Sequence, residues 1–139
     1  MLHFKQTEKN SVSKNASKFD HINLTNIKLY LNSECYPYDN LHLNYSKDQF
    51  SLLYEMYASF QISYYYKDNE SLFSMTQFKE ISPIAVIDCS RQSEILNKGS
   101  VDIRLEYDVD VPDNTTAYCV LLHDRILRYN PLISLIRFI

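Results

Sequence analysis

Cys89 and His123 are the two residues whose types and settings could support enzyme chemistry. Cys89 follows Asp88 at the end of the apolar run 84–87, and His123 precedes Asp124 after a second apolar run. A cysteine nucleophile needs a thiolate, a nearby imidazole and a group that orients it. No nucleophile motif surrounds Cys89, and a thiol after an apolar strand is usually a packed core residue. We therefore predict a non-enzymatic protein without catalytic residues, and a cysteine-dependent enzyme is the least favoured alternative.

The histidines, cysteines and glycine form no recognisable metal or cofactor site. His21 and His42 lie on two early predicted strands and could face each other, but no Cys/His or carboxylate spacing accompanies them. A single glycine excludes a glycine-rich phosphate loop. Cys35, Cys89 and Cys119 are an odd number without metal-ligand spacing, which favours a reducing, intracellular compartment (cytoplasm or nucleus). The sequence predicts no metal, no cofactor and no small-molecule substrate.

Four tyrosines, Tyr54, Tyr57, Tyr64 and Tyr65, are the most prominent candidates for a binding surface. Tyrosine rings can stack on nucleic-acid bases. The net charge of −3 argues against a specific nucleic-acid partner, because the excess of Lys and Arg that neutralises phosphates is missing. Helical spacing with neighbouring aromatic residues favours packing in a core or at a protein contact, where one end of a ring is dry and the other wet. We predict a protein interface at these four residues.

The elements that would position such residues are clearest in the C-terminal half. Strands are predicted at 84–87, 101–111 and 117–122, and turn residues at 97–100 and 112–115 would join them into an antiparallel core. The first and last are apolar throughout, which predicts burial on both faces. The middle strand alternates at every step and therefore has one wet face, because side chains alternate between faces with a period of two. The charged residues of that face are Asp102, Arg104, Glu106 and Asp108.

The N-terminal half begins with a polar segment. Residues 1–18 are rich in Lys, Ser and Asn and are predicted to be a flexible polar arm, and residues 19–139 are predicted to form one domain. Alternating patterns predict strands at 22–31 and 41–45, on either side of a turn-rich loop at 32–40.

Between the two halves the hydrophobic period becomes helical. Apolar residues along 47–65 form one stripe, and Ser46 with Gln49 fits a capping box at its start. Ser74 or Thr76 is predicted to cap a second, shorter helix. The fold class is therefore mainly β: an antiparallel β-sandwich with one long helix inserted between strands.

Composition supports a globular domain with an incomplete covering of its sheets. The chain has 139 residues, 45% of them hydrophobic, which suffices for one domain with a core. No apolar run approaches the ~20 residues of a membrane helix, so no membrane partner is predicted. Residues 125–139 are apolar without clean periodicity and are either a closing strand or a segment that docks on a partner. The surplus of apolar strand over covering elements predicts self-association.

Several segments together resemble double jelly-roll proteins, which are encoded by Polinton/Maverick-type elements and adintovirus-like insertions in animal genomes. The resemblance covers about residues 20–131. The segments that carry it are 26–34, 36–41, 54–57, 87–92, 101–104, 114–118 and 123–125. These motifs identify a lineage and transfer no roles to individual residues.

The resemblance implies a viral capsid-type structural protein with a jelly-roll β-sandwich. Such proteins stack two eight-stranded sandwiches in one chain and assemble into pseudo-hexagonal capsomers. This chain is similar to the later part of the second sandwich, so an incomplete jelly roll is expected. Its implied partner is itself or a fuller homologous capsid-like chain, and its implied location is the virion if it is part of a capsid. The alternative is a small β-sandwich binding module that uses the loop 32–40 or the tyrosines for a ligand.

Overall fold

A computed structural model describes residues 1–6, 15, 17–68, 71–90, 100–109, 113–123 and 127–138. The described strands are β1 (Leu2–Gln6), β2 (Asn26–Leu31), β3 (Glu34–Tyr36), β4 (Ile103–Asp108), β5 (Thr115–Cys119), β6 (Leu127–Asn130) and β7 (Leu135–Phe138). The described helices are α1 (Ser51–Ala58), α2 (Phe60–Tyr65), α3 (Met75–Ile81) and one 3₁₀ turn, Tyr45–Lys47. The protein is mainly strands in antiparallel sheets, which confirms the predicted fold class.

The strands form three antiparallel sheets with the orders β1-β5, β3-β2-β4 and β6-β7. Leu29 in the central strand of the second sheet lies opposite both Tyr36 and Leu105. The turn predicted at 97–100 lies almost entirely outside the described residues, whereas Asp113 and Asn114 form the turn predicted at 112–115. The strand pairing that these turns were expected to produce is wrong. β4 pairs with β2, and β5 pairs with β1, so the two strands are not hydrogen-bonded neighbours. Hydrophobic alternation determines which face of a strand is buried, but it does not specify which strand pairs with it.

Strand β1 corrects the expectation of a flexible arm for residues 2–6, whereas residues 7–14 and 16 of the predicted arm (1–18) lie outside the described residues. Leu2 and Phe4 are buried in the core, and the strand pairs in register with β5, from Leu2 opposite Cys119 to Gln6 opposite Thr115. Two apolar residues at alternate positions are enough to bury one face of a short strand. The Lys- and Asn-rich residues that follow dominate the composition of the segment and hid this pattern.

Two predicted strands are absent from the structure, although the apolar residues in them are buried. Residues 84–87 make only an isolated bridge, in which Leu2 and Ala85 exchange backbone hydrogen bonds of 2.8 and 3.0 Å. Residues 41–45 form no strand, because His42 has a φ of 48°. A left-handed residue interrupts the extended backbone that a strand requires.

The core lies between β1 and β2 and beneath the helices. Ile27, Leu53 and Phe78 are its most completely buried large side chains. Phe4 meets Tyr107 edge to face at 5.3 Å, which joins the β1-β5 sheet to the sheet that contains β4. Apolar burial of this kind is the main favourable term in folding.

The predicted helix over 47–65 is observed as two consecutive helices, α1 and α2, with a break at Ser59. The Ser59 hydroxyl donates to the carbonyl of Glu55 at 2.7 Å. The capping box predicted at Ser46 and Gln49 is wrong. Ser46 lies inside the 3₁₀ turn, which Asn44 caps instead by accepting a hydrogen bond from the Lys47 amide.

Helix α3 has the N-terminus that the sequence predicts. The Ser74 hydroxyl accepts from the Gln77 amide at 3.3 Å, and the Gln77 side chain accepts from the Ser74 amide at 3.1 Å. This reciprocal capping box satisfies two amides that have no partner within the helix.

Candidate interaction surface

The charged face of β4 is a solvated, salt-bridged sheet surface, as predicted. The Arg104 guanidinium lies 4.4 Å from the centre of the Tyr30 ring and 3.4 Å from the Glu106 carboxylate. A hydrogen bond to Glu106 is the main reason why the pKa of Tyr30 is raised. All three groups sit on adjacent strands at an exposed face, where such pairs contribute little to stability. This arrangement is structural and gives no paired carboxylates for acid–base chemistry.

Of the four predicted interface tyrosines, Tyr54 and Tyr57 pack against the core. Both rings contact Phe78, at 5.4 and 5.1 Å between centroids. The Tyr54 hydroxyl donates to the carbonyl of Phe73 at 2.9 Å, and the Tyr57 hydroxyl accepts from the Phe73 amide at 3.2 Å. These half-buried tyrosines therefore hold the segment before α3 against α1, and much of each ring is occupied inside the chain.

Tyr64 and Tyr65 lie on the surface and form an exposed aromatic patch with Phe60. The Phe60 ring stacks on Tyr64 at 5.4 Å and meets Tyr65 edge to face at 5.8 Å. Tyr65 is 55% exposed, and the ammonium of Lys67 lies 6.0 Å from its ring. The structure thus places the four tyrosines in two environments, and the interface prediction now concerns Tyr64 and Tyr65.

Cys89 lacks the electrostatic environment of an activated nucleophile. Burial raises the pKa of the Cys89 thiol to about 11, and the neighbouring Asp88 charge acts in the same direction. A thiol with this pKa is almost entirely protonated at neutral pH, and the thiolate is the reactive form. His123 follows β5 in an exposed position. The structure supports the interpretation of Cys89 as a packed thiol.

His21 and His42 occupy different environments. His21 stacks on Tyr45 at 4.3 Å, and its Nδ1 accepts a hydrogen bond from the Asn23 amide at 3.0 Å. His42 is exposed. Within the described ranges, no group of three or more His, Cys, Asp or Glu side chains is placed to hold a metal ion.

An exposed apolar run lies where the sequence predicted a buried strand. Tyr118, Val120, Leu121 and Leu122 are 46–56% exposed. The prediction that 117–122 is buried on both faces is therefore wrong. Strand β5 pairs with β1 along one edge, and no other described strand pairs with its second edge. An apolar run indicates burial only if some other element covers it, and the described part of this chain leaves the run open.

The C-terminal residues form a hairpin that stands apart from the other sheets. Among the described strands, β6 pairs only with β7, from Leu127 opposite Phe138 to Asn130 opposite Leu135. Its apolar side chains are exposed, with Leu132 at 93% and Ile133 at 65%. Asn130 and Pro131 are the sequence signal for this turn, and the lack of a clean apolar periodicity around them concealed the hairpin.

These surfaces are suited to contacts with other macromolecules. Exposed apolar patches and unpaired strand edges are features of protein interfaces. No helix in the described ranges is long and apolar enough to cross a membrane.

Comparison with protein families identifies a related domain family. A family model described as a double jelly roll-like domain matches residues 1–127. No curated protein and no solved structure matches the chain. The match therefore ends at the first residue of β6, and the rest of the C-terminal hairpin lies outside it.

Proposed function

Since this chain belongs to the double jelly roll-like domain family, we propose that it is a non-enzymatic, capsid-like structural protein that acts by self-association. The family supports a capsid-like structural fold. The raised pKa of Cys89 favours a structural protein over a cysteine-dependent enzyme. Kinship with proteins of Polinton/Maverick-type elements is part of the proposal and is supported by the segments that resemble them.

The observation that carries the proposal is the amount of uncovered apolar surface near the C-terminus. Of the 21 large apolar side chains that the described residues expose, ten lie within residues 118–136. Single exposed apolar residues are ordinary on monomers, whereas contiguous patches mark sites of association. We infer that a second protein surface covers these exposed apolar side chains.

Unpaired strand edges support the same proposal. In the described residues, β4 pairs only with β2, and β5 pairs only with β1, so each has one edge without a strand partner. A free edge presents unpaired amide and carbonyl groups that another chain can pair with. The proposed partners are further copies of this chain or a fuller homologous capsid-like chain, inside the cell or in a virion.

Sedimentation velocity of the full chain at micromolar concentrations tests the proposal, with electron microscopy to examine the products. We expect species larger than the 16.4 kDa monomer. Leu121→Asp places a charge in the exposed run after β5 and should weaken association by about tenfold or more, equivalent to about 1.4 kcal/mol. Leu52→Asp is the matched control, because Leu52 is similarly exposed (50% against 56%) but lies on α1.

A strictly monomeric wild-type chain would contradict self-association. A monomer that binds a small molecule, seen as a thermal shift, would favour the alternative of a β-sandwich binding module. Ring-shaped or shell-like particles in the microscope would support the capsid-like function.

A further inference from the structure

The β6–β7 hairpin is an element without a covering surface of its own. In the part of the chain that the structure describes, it pairs with no other strand. A two-stranded hairpin is marginally stable alone in water, and it usually gains stability by packing against something else. All but the first of its residues also lie outside the family match.

The exposed apolar side chains of the hairpin lie mainly at its tip and on one face, and Leu135 lies on the opposite face. Leu132 and Ile133 form the tip, which the Asn130 side chain holds by accepting a hydrogen bond from the Leu132 amide at 3.0 Å. Leu127, Tyr129 and Ile136 share one face of the two strands and are 57–59% exposed. Hairpin turns are usually polar, so an ordered tip of two exposed aliphatic residues is a suitable anchor for a pocket on another molecule.

The opposite face carries two arginines that face each other across the strands. Arg128 lies directly opposite Arg137 in the register, and both are exposed. Like charges at directly opposed positions destabilise an antiparallel pair. Neither guanidinium has an ion-pair partner among the described residues, and residues 127–138 contain no Asp or Glu. Carboxylates on a partner would relieve this repulsion through bidentate hydrogen bonds.

The distribution of charge indicates which surface supplies those carboxylates. The whole chain has a net charge of −3 and the hairpin contributes +2, so the remaining residues carry −5. Two hairpins in contact would bring four guanidinium groups together, which is unfavourable. The acidic remainder of a second copy is complementary to the hairpin, and a second hairpin is not.

We propose that the β6–β7 hairpin is the arm by which one copy of this chain attaches to a second copy, on a surface other than the second copy's own hairpin. This inference rests on the proposed self-association and adds its geometry. Contacts between two different patches are head-to-tail, and they generate a ring when the rotation closes and an open chain when it does not.

Charge and anchor variants test the arm in the full chain. In sedimentation equilibrium, R128E/R137E should weaken association by at least about tenfold, whereas R128K/R137K, which keeps both positive charges but loses the bidentate geometry, should weaken it less. Leu132→Asp should also weaken association. Leu72→Asp is its matched control, because Leu72 is 77% exposed outside the hairpin. Circular dichroism verifies that each variant remains folded.

Mixing distinguishes the head-to-tail arrangement from a contact between two hairpins. The R128E/R137E chain keeps the receiving surface, so an excess of labelled variant should bind wild-type arms and shorten wild-type assemblies. In a hairpin-to-hairpin contact, the acidic hairpin of the variant would complement the basic wild-type hairpin, so the variant would join and the mixed assemblies would be at least as large as the wild-type ones. That result would overturn the inference.

The outcomes also separate this inference from the function on which it rests. If the wild-type chain associates and the hairpin variants associate equally well, the inference that the hairpin is the attaching arm is wrong, and the proposed self-association is retained. If the wild-type chain is monomeric, both fail.

Discussion

At the scale of single residues, burial sets the chemical state of Cys89 and His3. Both side chains are partly buried, and burial disfavours the charged form of any ionisable group. It raises the pKa of the Cys89 thiol to about 11 and, with the charge of the N-terminal amine, lowers the pKa of His3. Uncharged side chains at these two positions are consistent with packing roles.

Alkylation of the native protein tests the state of Cys89. At pH 8, a thiol of pKa about 11 should react roughly a hundredfold more slowly than an ordinary thiol, because only the thiolate reacts. We expect exposed Cys119 to be modified by iodoacetamide well before Cys89, as measured by peptide mass spectrometry. Denatured protein is the control, in which the two sites should react alike. Modification of Cys89 before Cys119 would favour the alternative of a cysteine-dependent enzyme.

The lowered pKa of His3 predicts that stability falls at mildly acidic pH. In the unfolded chain a histidine takes up its proton near pH 6.5, and in the folded chain it does so only at lower pH. The unfolded state therefore binds more protons in this window, and the free energy of unfolding decreases as the pH falls below about 6.5. The pKa of His21 is lowered as well, chiefly by burial, and adds to the same trend.

Urea denaturation at several pH values between about 7.5 and 5.5 measures this trend. His3→Gln should reduce the dependence on pH, and His42→Gln, at an exposed position, is the control for the loss of one histidine. An unfolding free energy that rises as the pH falls across this range would contradict the prediction.

At the scale of elements, β1 shows how few residues can make a strand part of a fold. Leu2 and Phe4 are the only large apolar side chains of β1, and both are buried. They bring β1 against β5 and against Tyr107 of β4. The strand thus connects the sheet that contains β5 to the sheet that contains β4.

Phe4→Ala tests the contribution of β1 to stability. Truncation of a buried Phe typically costs about 3–5 kcal/mol through lost apolar burial and the cavity that remains. We expect a loss of this order in the free energy of unfolding, measured by chemical denaturation. Phe4→Leu is a milder variant if Phe4→Ala does not fold, and Tyr66→Ala, at a 92% exposed site, should cost less than about 0.5 kcal/mol. A loss below about 1 kcal/mol for Phe4→Ala would contradict a stabilising role of β1 and would support the predicted flexible arm.

At the scale of the whole molecule, the described chain has a covered core and an uncovered C-terminal region. The aromatic side chains around Phe78 are packed, whereas the exposed run 118–122 and the β6–β7 hairpin are open. The first region follows the double jelly roll-like family, and most of the hairpin lies beyond the family match. Sedimentation of the Leu121→Asp chain and of the hairpin variants tests whether a second molecule covers this uncovered region.

Features that depend on neighbouring residues could be predicted from the sequence. The two residues of the α3 capping box, Ser74 and Gln77, are three positions apart, and the charged face of β4 follows from its alternation. The candidate site was less predictable. Tyr64 and Tyr65 are exposed, but Tyr54 and Tyr57 look the same in the sequence and pack on Phe78.

The sequence by itself determined the mainly β class, the helical region between the strands and the wet face of β4, because these follow from periodicities within a few residues. Only the tertiary structure decided the partners of β4 and β5, the place of β1 and the exposure of 118–122. Asn26 and Asp108 bond across 82 positions of the chain, and no local pattern specifies such a pairing. Burial depends on what the rest of the molecule brings to a surface, and the described chain leaves residues 118–122 and the β6–β7 hairpin exposed.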